Sequence, residues 1–434
     1  MLTRPMGEGW HSENGTTHED TTQPDSKIPD PSFVASIFYR VPDRLRKVNP
    51  EAFTPQMLLI GPLHHSKKDE ALKRYKTDLR YLNYMTMELH KKKCLKSITD
   101  KYGDEPVKTF KEIIERNEKF IRDSYAESTI WINTEDFVEM ILHDSVFILL
   151  FFIQTGSTRT FSKNEDILFN HTRLIILEDL ILLENQLPYA LLEELFEPFF
   201  SNHNTNETFQ LFRCVRVSTL SLTAAQISIA KTEPPKSRKI MYNAEKLYSA
   251  GVAFVNVDEG NDLSLVITFE DGILKLPSFT VKENTERELR NLMAFEQCHY
   301  PRTTYVCDFI AFLDFLINTN QDVDLLVKKG IVKSWLGHHG SVTEMVNKLC
   351  LGLVDFGSHY SDIVESVNKH YDNRLNRLVG KLRRVYFKDL WTGTATVVAV
   401  VLLVLTLIQT VTSILQVTQN DNKSLPPPAP CRGP

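Results

Sequence analysis

Apolar positions recur along this chain mostly with a helical period, and in two places they run on without polar interruption. From Lys67 to about Lys93, Leu72, Tyr75, Leu79, Leu82 and Met85 keep one face apolar while Lys and Arg cover the others, which predicts an amphipathic helix. Residues 106–125 predict a second. Thr134 is a plausible N-cap for a helix that runs into Val146–Ile153, eight apolar residues in a row. Eight are too few to cross a bilayer, so this is read as a central core helix. Leu174–Leu187 is apolar nearly all round and is predicted to be buried. Pro188 then ends that helix and opens the next, through Phe196. A helix is expected at about 209–230. Further helices are expected at Glu286–Phe295, Tyr305–Asn318, Val323–Lys329 with Gly330 as a stop, and Ser341–Leu351 with Ser341 and Glu344 as a capping box. A basic helix is expected over 361–388.

One stretch has period two instead. Leu263, Leu265, Ile267 and Phe269 alternate along one face up to Asp271-Gly272, the dipeptide that suits a type I′ turn because both central residues take positive φ. Ile273–Pro277 forms the return strand, and Val252–Val257 is a third candidate. The fold class is therefore mainly α, with a small β-hairpin or three-stranded sheet in a helical body, plus one C-terminal transmembrane helix. At 434 residues the chain exceeds what one core usually serves. Polar, Pro-containing breaks divide it into a disordered tail (1–30), a helical lobe (31–200) and a connecting region (201–240). An α+β lobe with the basic juxtamembrane helix (241–390), the span (391–417) and a short tail (418–434) follow.

The span is the second uninterrupted apolar run. No charged residue lies between Leu390 and Asn420, and Ala395–Ile408 continues through Gln409 and Thr410 to Val417. About 23 residues rising ~1.5 Å each cover a ~30 Å hydrocarbon layer. Trp391 falls at interfacial depth. Arg374, Arg377, Lys381, Arg383, Arg384 and Lys388 precede the run, and only Lys423 and Arg432 follow it. The basic side is expected to be cytosolic, at the plasma membrane or the endoplasmic reticulum, with post-translational insertion. Residues 1–30 lack the apolar stretch of a signal peptide. Thr406, Gln409, Thr410 and Ser413 line one face of the span, where they suit a partner helix or self-association. Membrane lipid is thus the first expected partner.

Composition narrows the chemistry. A net charge of −5 argues against a nucleic-acid partner. The six cysteines show neither C-x-x-C nor zinc-finger spacing and read as reduced thiols. The chain has no P-loop, dinucleotide fingerprint, nucleophile elbow or H-E-x-x-H motif. His64-His65 and His338-His339 are sequence neighbours whose side chains diverge, a poor start for a metal site. Glu178, Glu184, Glu296 and Cys298 offer acid–base or nucleophilic chemistry only if they converge on a cleft. Asn185 and Gln186 suit a helix end, where side-chain amides satisfy free carbonyls. No catalytic, cofactor-binding or metal residue is assigned.

Six ordered stretches carry a family resemblance: Ile37–Pro42, Leu59–His65, Glu178–Pro188, Ala244–Gly251, Asn291–Cys298 and Gly330–Gly337. Together with the basic run and the anchor, they resemble a plant family known as domain of unknown function 247, over roughly residues 33–417. Leu63, Ser66, Val146 and Ile153 depart from its usual pattern. The resemblance implies a mostly helical plant protein with no established catalytic residues. Certain grass members are linked to self-incompatibility as pollen-side determinants. The expected function is a single-pass, non-enzymatic recognition or signalling component. Its contacts are expected at the loops 201–208 and 232–240 and near the His64-His65 turn. The alternatives are a membrane-anchored enzyme of unrecognised type and a membrane-surface scaffold.

Overall fold

The computed structural model describes residues 37–156, 167–203, 235–257, 265–386 and 390–421. All belong to one compact unit that begins at Ile37. The expected disordered tail over 1–30, the helix at 209–230, residues 204–208 and 232–234 of the expected contact loops and the end of the C-terminal tail lie outside the described residues.

The first half is helical: α1 (Asp43–Arg46), α2 (His65–Arg74), α3 (Leu79–Tyr102), α4 (Glu105–Arg116), α5 (Glu118–Asp123), α6 (Thr134–Gly156), α7 (Ile167–Leu180) and α8 (Tyr189–His203). The helix expected from Lys67 is two helices. The chain breaks at Tyr75–Asp78, and Asp78 restarts it by accepting the N–H of Arg80 at 3.0 Å. Asn117 likewise divides 106–125. Asn133, not Thr134, caps α6, since its Oδ1 accepts the N–H of Asp136 at 2.9 Å. α7 stops at Leu180, seven residues before the expected end, and a buried turn leads to Pro188. Residues 201–203, expected in a loop, close α8.

The second half carries α9 (Ala244–Ser249), β1 (Ala253–Asn256), β2 (Thr268–Glu270), β3 (Ile273–Leu276) and β4 (Phe279–Val281). There follow α10 (Thr285–His299), α11 (Tyr305–Leu316), α12 (Asn320–Lys328), β5 (Val332–Ser334), α13 (His339–Leu349), α14 (Ser361–Asp372), α15 (Arg374–Tyr386) and α16 (Leu390–Asp421). The expected hairpin forms. Asp271 and Gly272 have φ of 50° and 79°, and β2 pairs antiparallel with β3. β1 joins β3 in parallel, giving the order β1-β3-β2. β4 and β5 form a separate parallel pair. The capping box sits at Thr319 and Asp322, not at Ser341, because α13 begins at His339 with His338 as its cap.

Two hydrophobic clusters hold these elements. One packs α3, α4, α6 and α8 around Phe137, Phe147, Phe151 and Phe196. The other packs α11 and α13 against the small sheets around Leu274, Phe312 and Val346. Between them lies a small group that includes Val41, Phe53, Leu183 and Ala294.

Candidate functional site

The segment from Pro55 to Gly61 is buried from Met57 onward, yet it lies in no helix or sheet. Its backbone polar groups need partners, because an unpaired buried amide costs about as much as a lost hydrogen bond. Side chains supply them. Asp179, fully buried near the end of α7, accepts the N–H groups of Gln56 (2.9 Å), Met57 (2.8 Å) and Leu58 (2.8 Å). Asn185 donates to the Leu58 carbonyl at 3.0 Å and accepts the Ile60 N–H at 2.6 Å. Asp144 on α6 accepts the Gly61 N–H at 2.8 Å, and Lys91 on α3 donates to the Leu59 carbonyl. Gly61 has φ of 73°, and a Cβ there would lie 2.8 Å from the Gln186 carbonyl oxygen, so only glycine fits.

The same residues close the end of α7. Asn185 donates to the Asp179 carbonyl at 2.9 Å, and Gln186 donates to the carbonyls of Leu180 and Leu182. This is the helix-end role expected for the two amides. Tyr125 donates its hydroxyl to the Gln186 carbonyl at 2.9 Å.

α10 brings the second half onto this lattice. Arg287 donates to Asp179 at 2.8 Å and to the Thr54 carbonyl at 2.9 Å. Asn291 donates to the Ala52 carbonyl at 2.8 Å and accepts the Leu183 N–H at 3.0 Å. Arg44 donates to Gln297 at 2.9 Å, and Asn49 to Glu286 at 2.8 Å. Burial pushes the Asp179 carboxyl above its ordinary range, although three backbone N–H groups and Arg287 act against it. Asp144 is held below the ordinary range: burial opposes this, but Lys68 and Lys91 outweigh it. Lys91 lies 2.6 Å from Asp144, with both side chains fully buried.

The candidate reactive residues are dispersed over this framework. Glu184 accepts the Val41 N–H at 2.8 Å and pairs with Arg46. Glu296 accepts the N–H groups of Val306 (2.9 Å) and Cys307 (2.8 Å), which closes the start of α11. Glu178 is half-buried. Burial raises the Cys298 thiol, and it raises Cys350 to about 12. His64 is fully buried; desolvation and the cations Lys67, Lys68, Arg40 and Arg46 hold it well below its ordinary value, so the ring is neutral. His65 packs edge-on against Trp131, with ring centres 5.2 Å apart. His338 accepts the Gly340 N–H at 2.8 Å, while His339 pairs with Asp324. Among the described residues, no three His, Cys, Asp or Glu side chains are placed to hold a metal ion.

Sequence reasoning missed three buried polar nodes. They are the Lys91–Asp144 pair; Asp308, which accepts from His359 at 2.8 Å and Arg238 at 3.1 Å; and Asp322, which accepts the Glu245 N–H at 2.8 Å. For Asp144 the available signal was a carboxylate two residues before the apolar run Val146–Ile153, and for Asp308 a carboxylate among the apolar residues of α11.

Outside the body, Thr394–Thr418 is long and apolar enough to cross a membrane, and none of it is buried in the fold. Thr406 and Thr410 donate their hydroxyls to carbonyls one turn earlier in their own helix. The molecule is thus a mostly helical body joined to one candidate membrane-spanning helix. A family described as plant protein of unknown function, domain of unknown function 247, matches residues 38–221 and 201–405, and the chain belongs to it. It is 24% identical to the UPF0481 protein At3g47200 of Arabidopsis thaliana, over 90% of this chain and 89% of that protein. It is also 29% identical to UPF0481 protein At3g02645 of the same plant, over 38% of this chain and 31% of that one. No solved structure matches.

Proposed function

We propose that this chain is a single-pass membrane protein whose body faces the cytosol and acts as a non-enzymatic recognition component. The observation that carries the reading is the use made of the family stretches. Asp179, Glu184, Asn185, Asn291 and Glu296 spend their polar atoms on backbone groups inside the fold and, for Asp179 and Glu184, on Arg287 and Arg46 as well. A catalytic group must instead reach a substrate from a cleft. Recognition is left to the surface. Ile130 and Trp131 are exposed beside His65, and Trp335 is 77% exposed. Large aromatic side chains at a surface are the usual anchors of protein interfaces. Signalling, and recognition of the kind linked to pollen self-incompatibility in certain grass members, is the finer form of this proposal. It rests on family membership. A partner helix or self-association through Thr406, Gln409, Thr410 and Ser413, at the plasma membrane or the endoplasmic reticulum, belongs to it as well.

Two measurements test the proposal. A glycan acceptor appended after Pro434 should be modified in cells, while Asn170 in the body should not; the reverse pattern would overturn the orientation. Proximity labelling from the full chain should give a neighbour set that Trp131→Glu or Trp335→Glu depletes and Cys298→Ser leaves unchanged. Neighbours insensitive to both surface substitutions would count against recognition through these aromatics.

A further inference from the structure

α15 is the helix that leads into the anchor, and it presents three different faces. Gly380 is buried against the end of α9: a Cβ on it would lie 2.6 Å from the Gly251 nitrogen and 2.8 Å from the Ala250 carbonyl carbon. Asn376, one turn earlier, lies on the same side and its amide reaches the His370 carbonyl at 3.3 Å. This face is fixed to the body. Leu375, Leu378 and Val379 are 70%, 57% and 62% exposed. Their spacing of three and four makes a continuous apolar stripe, and Leu382 continues it in sequence. Arg374 and Arg377 begin a basic run that Lys381 and Arg384 extend at helical spacing, and Lys388 follows in the sequence.

An apolar stripe bare to water is costly for a soluble helix, and nothing among the described residues of the body covers it. Four residues beyond Tyr386, at Leu390, the apolar helix α16 begins. The two apolar segments are therefore neighbours in the sequence. An apolar stripe flanked by Lys and Arg is the pattern of a helix lying in the headgroup layer, with its apolar side sunk toward the acyl chains and its cations at lipid phosphates. We infer that α15 lies in the interface of an anionic bilayer, and that the Gly380–Gly251 contact holds the body at one attitude on that surface. The inference rests on the membrane-anchor reading above.

The test uses the full chain with an environment-sensitive fluorescent amino acid at position 378 and, separately, at 375, 372 and 408. The chain is reconstituted in vesicles of phosphatidylcholine alone or mixed with phosphatidylserine. The probes at 378 and 375 should shift to the blue on reconstitution, more so with phosphatidylserine, and raised salt should reduce that excess. Position 372 should stay water-like and 408 should report hydrocarbon. A water-like signal at both 378 and 375 in anionic vesicles, with 408 in lipid, would overturn the inference and leave the anchor standing. A water-like signal at 408 would overturn the anchor and this inference with it. A blue shift that appears in detergent without lipid and grows with protein concentration would assign the stripe to a second copy, again overturning it.

Discussion

Replacing Asp179 by alanine should damage the protein more than any other single change in the buried lattice. The carboxylate is fully buried and serves five hydrogen-bond contacts: one oxygen takes the N–H groups of Gln56, Met57 and Leu58, and the other takes Gln56 and Arg287. In Asp179→Ala the guanidinium of Arg287 keeps the Thr54 carbonyl but loses its counter-charge, and that side chain is only 10% exposed. Breaking a buried pair in this way costs about 3–5 kcal/mol. Backbone N–H groups left without an acceptor add about 1–3 kcal/mol each unless water reaches them. Against a total stability of about 5–15 kcal/mol, the loss is a large share. It should lower the thermal midpoint of the full chain in nanodiscs by roughly 10 °C or more. Asp179→Asn should be nearly as harmful, because its amide would turn a donor toward either Arg287 or the backbone N–H groups. The double-mutant cycle with Arg287→Ala isolates the pair. Once Asp179 is gone, removing Arg287 should cost little, giving a coupling of about 2–3 kcal/mol. Additive losses, or an Asp179→Ala midpoint within about 2 °C of the parent, would refute the reasoning.

Other outcomes follow from the same physics. Burial raises the Asp314 carboxyl to about 6, against the influence of Arg238. An acid raised on folding contributes stability at low pH that is lost as pH rises through its folded value. Asp314→Asn should therefore match the parent near pH 4 and exceed it above about pH 6, by on the order of 1 kcal/mol after solvent screening; parallel stability curves would show the attribution to be wrong. Gly380→Ala drives a Cβ into the backbone at Ala250 and Gly251, so it should cost about 1–3 kcal/mol and expose the Arg374–Arg384 segment to trypsin. An unchanged digestion pattern would count against that contact. Burial holds the thiols of Cys298, Cys307 and Cys350 up, so iodoacetamide at neutral pH should modify them far more slowly than an unhindered cysteine. Modification of Cys298 at the unhindered rate would revive the nucleophile reading.

The parts of this molecule that obey a period were legible in the sequence. The hairpin at Asp271-Gly272 was readable because positive φ at two successive positions narrows the choice of residues. The long apolar helix near the C-terminus was readable because charge is absent from Leu390 to Asn420. What periodicity hides is where helices stop. α7 ends at Leu180 although Ile181, Leu182 and Leu183 keep the composition apolar, since Asn185 and Gln186 fold back onto its last carbonyls. The amide role was foreseen, but its location seven residues early was not, because hydrophobicity does not distinguish a buried turn from a buried helix. The lattice partners were not legible either. Asp179 and Arg287 are 108 positions apart, and only the fold brings them to 2.8 Å. For the reactive candidates, sequence supplied the residue types, whereas convergence on a cleft is a property of three-dimensional placement alone.

The lattice also bears on how a membrane-proximal body would keep one shape. Buried ionic groups are weak stabilisers, since the desolvation of each charge offsets much of the attraction. Their consequence here is register. The segment Pro55–Gly61 has no sheet partner, so nothing repetitive fixes its place; Asp179 takes the N–H groups of Gln56, Met57 and Leu58, Asn185 bonds at Leu58 and Ile60, Lys91 at Leu59 and Asp144 at Gly61. A shift of the segment by one residue would put a Cβ at the place of Gly61, where one would lie 2.8 Å from the Gln186 carbonyl oxygen, and would displace the Leu59 carbonyl and Gly61 N–H from Lys91 and Asp144. α10 holds the residues just before this segment, through Arg287 to the Thr54 carbonyl and Asn291 to the Ala52 carbonyl. The two hydrophobic clusters are consequently tied by bonds that allow one alignment, whereas apolar contact between them alone would tolerate sliding. A partner that binds surface from both halves would then meet a preformed arrangement, which lowers the entropic cost of recognition. Loosening the seam should weaken such binding even though no seam residue touches the partner.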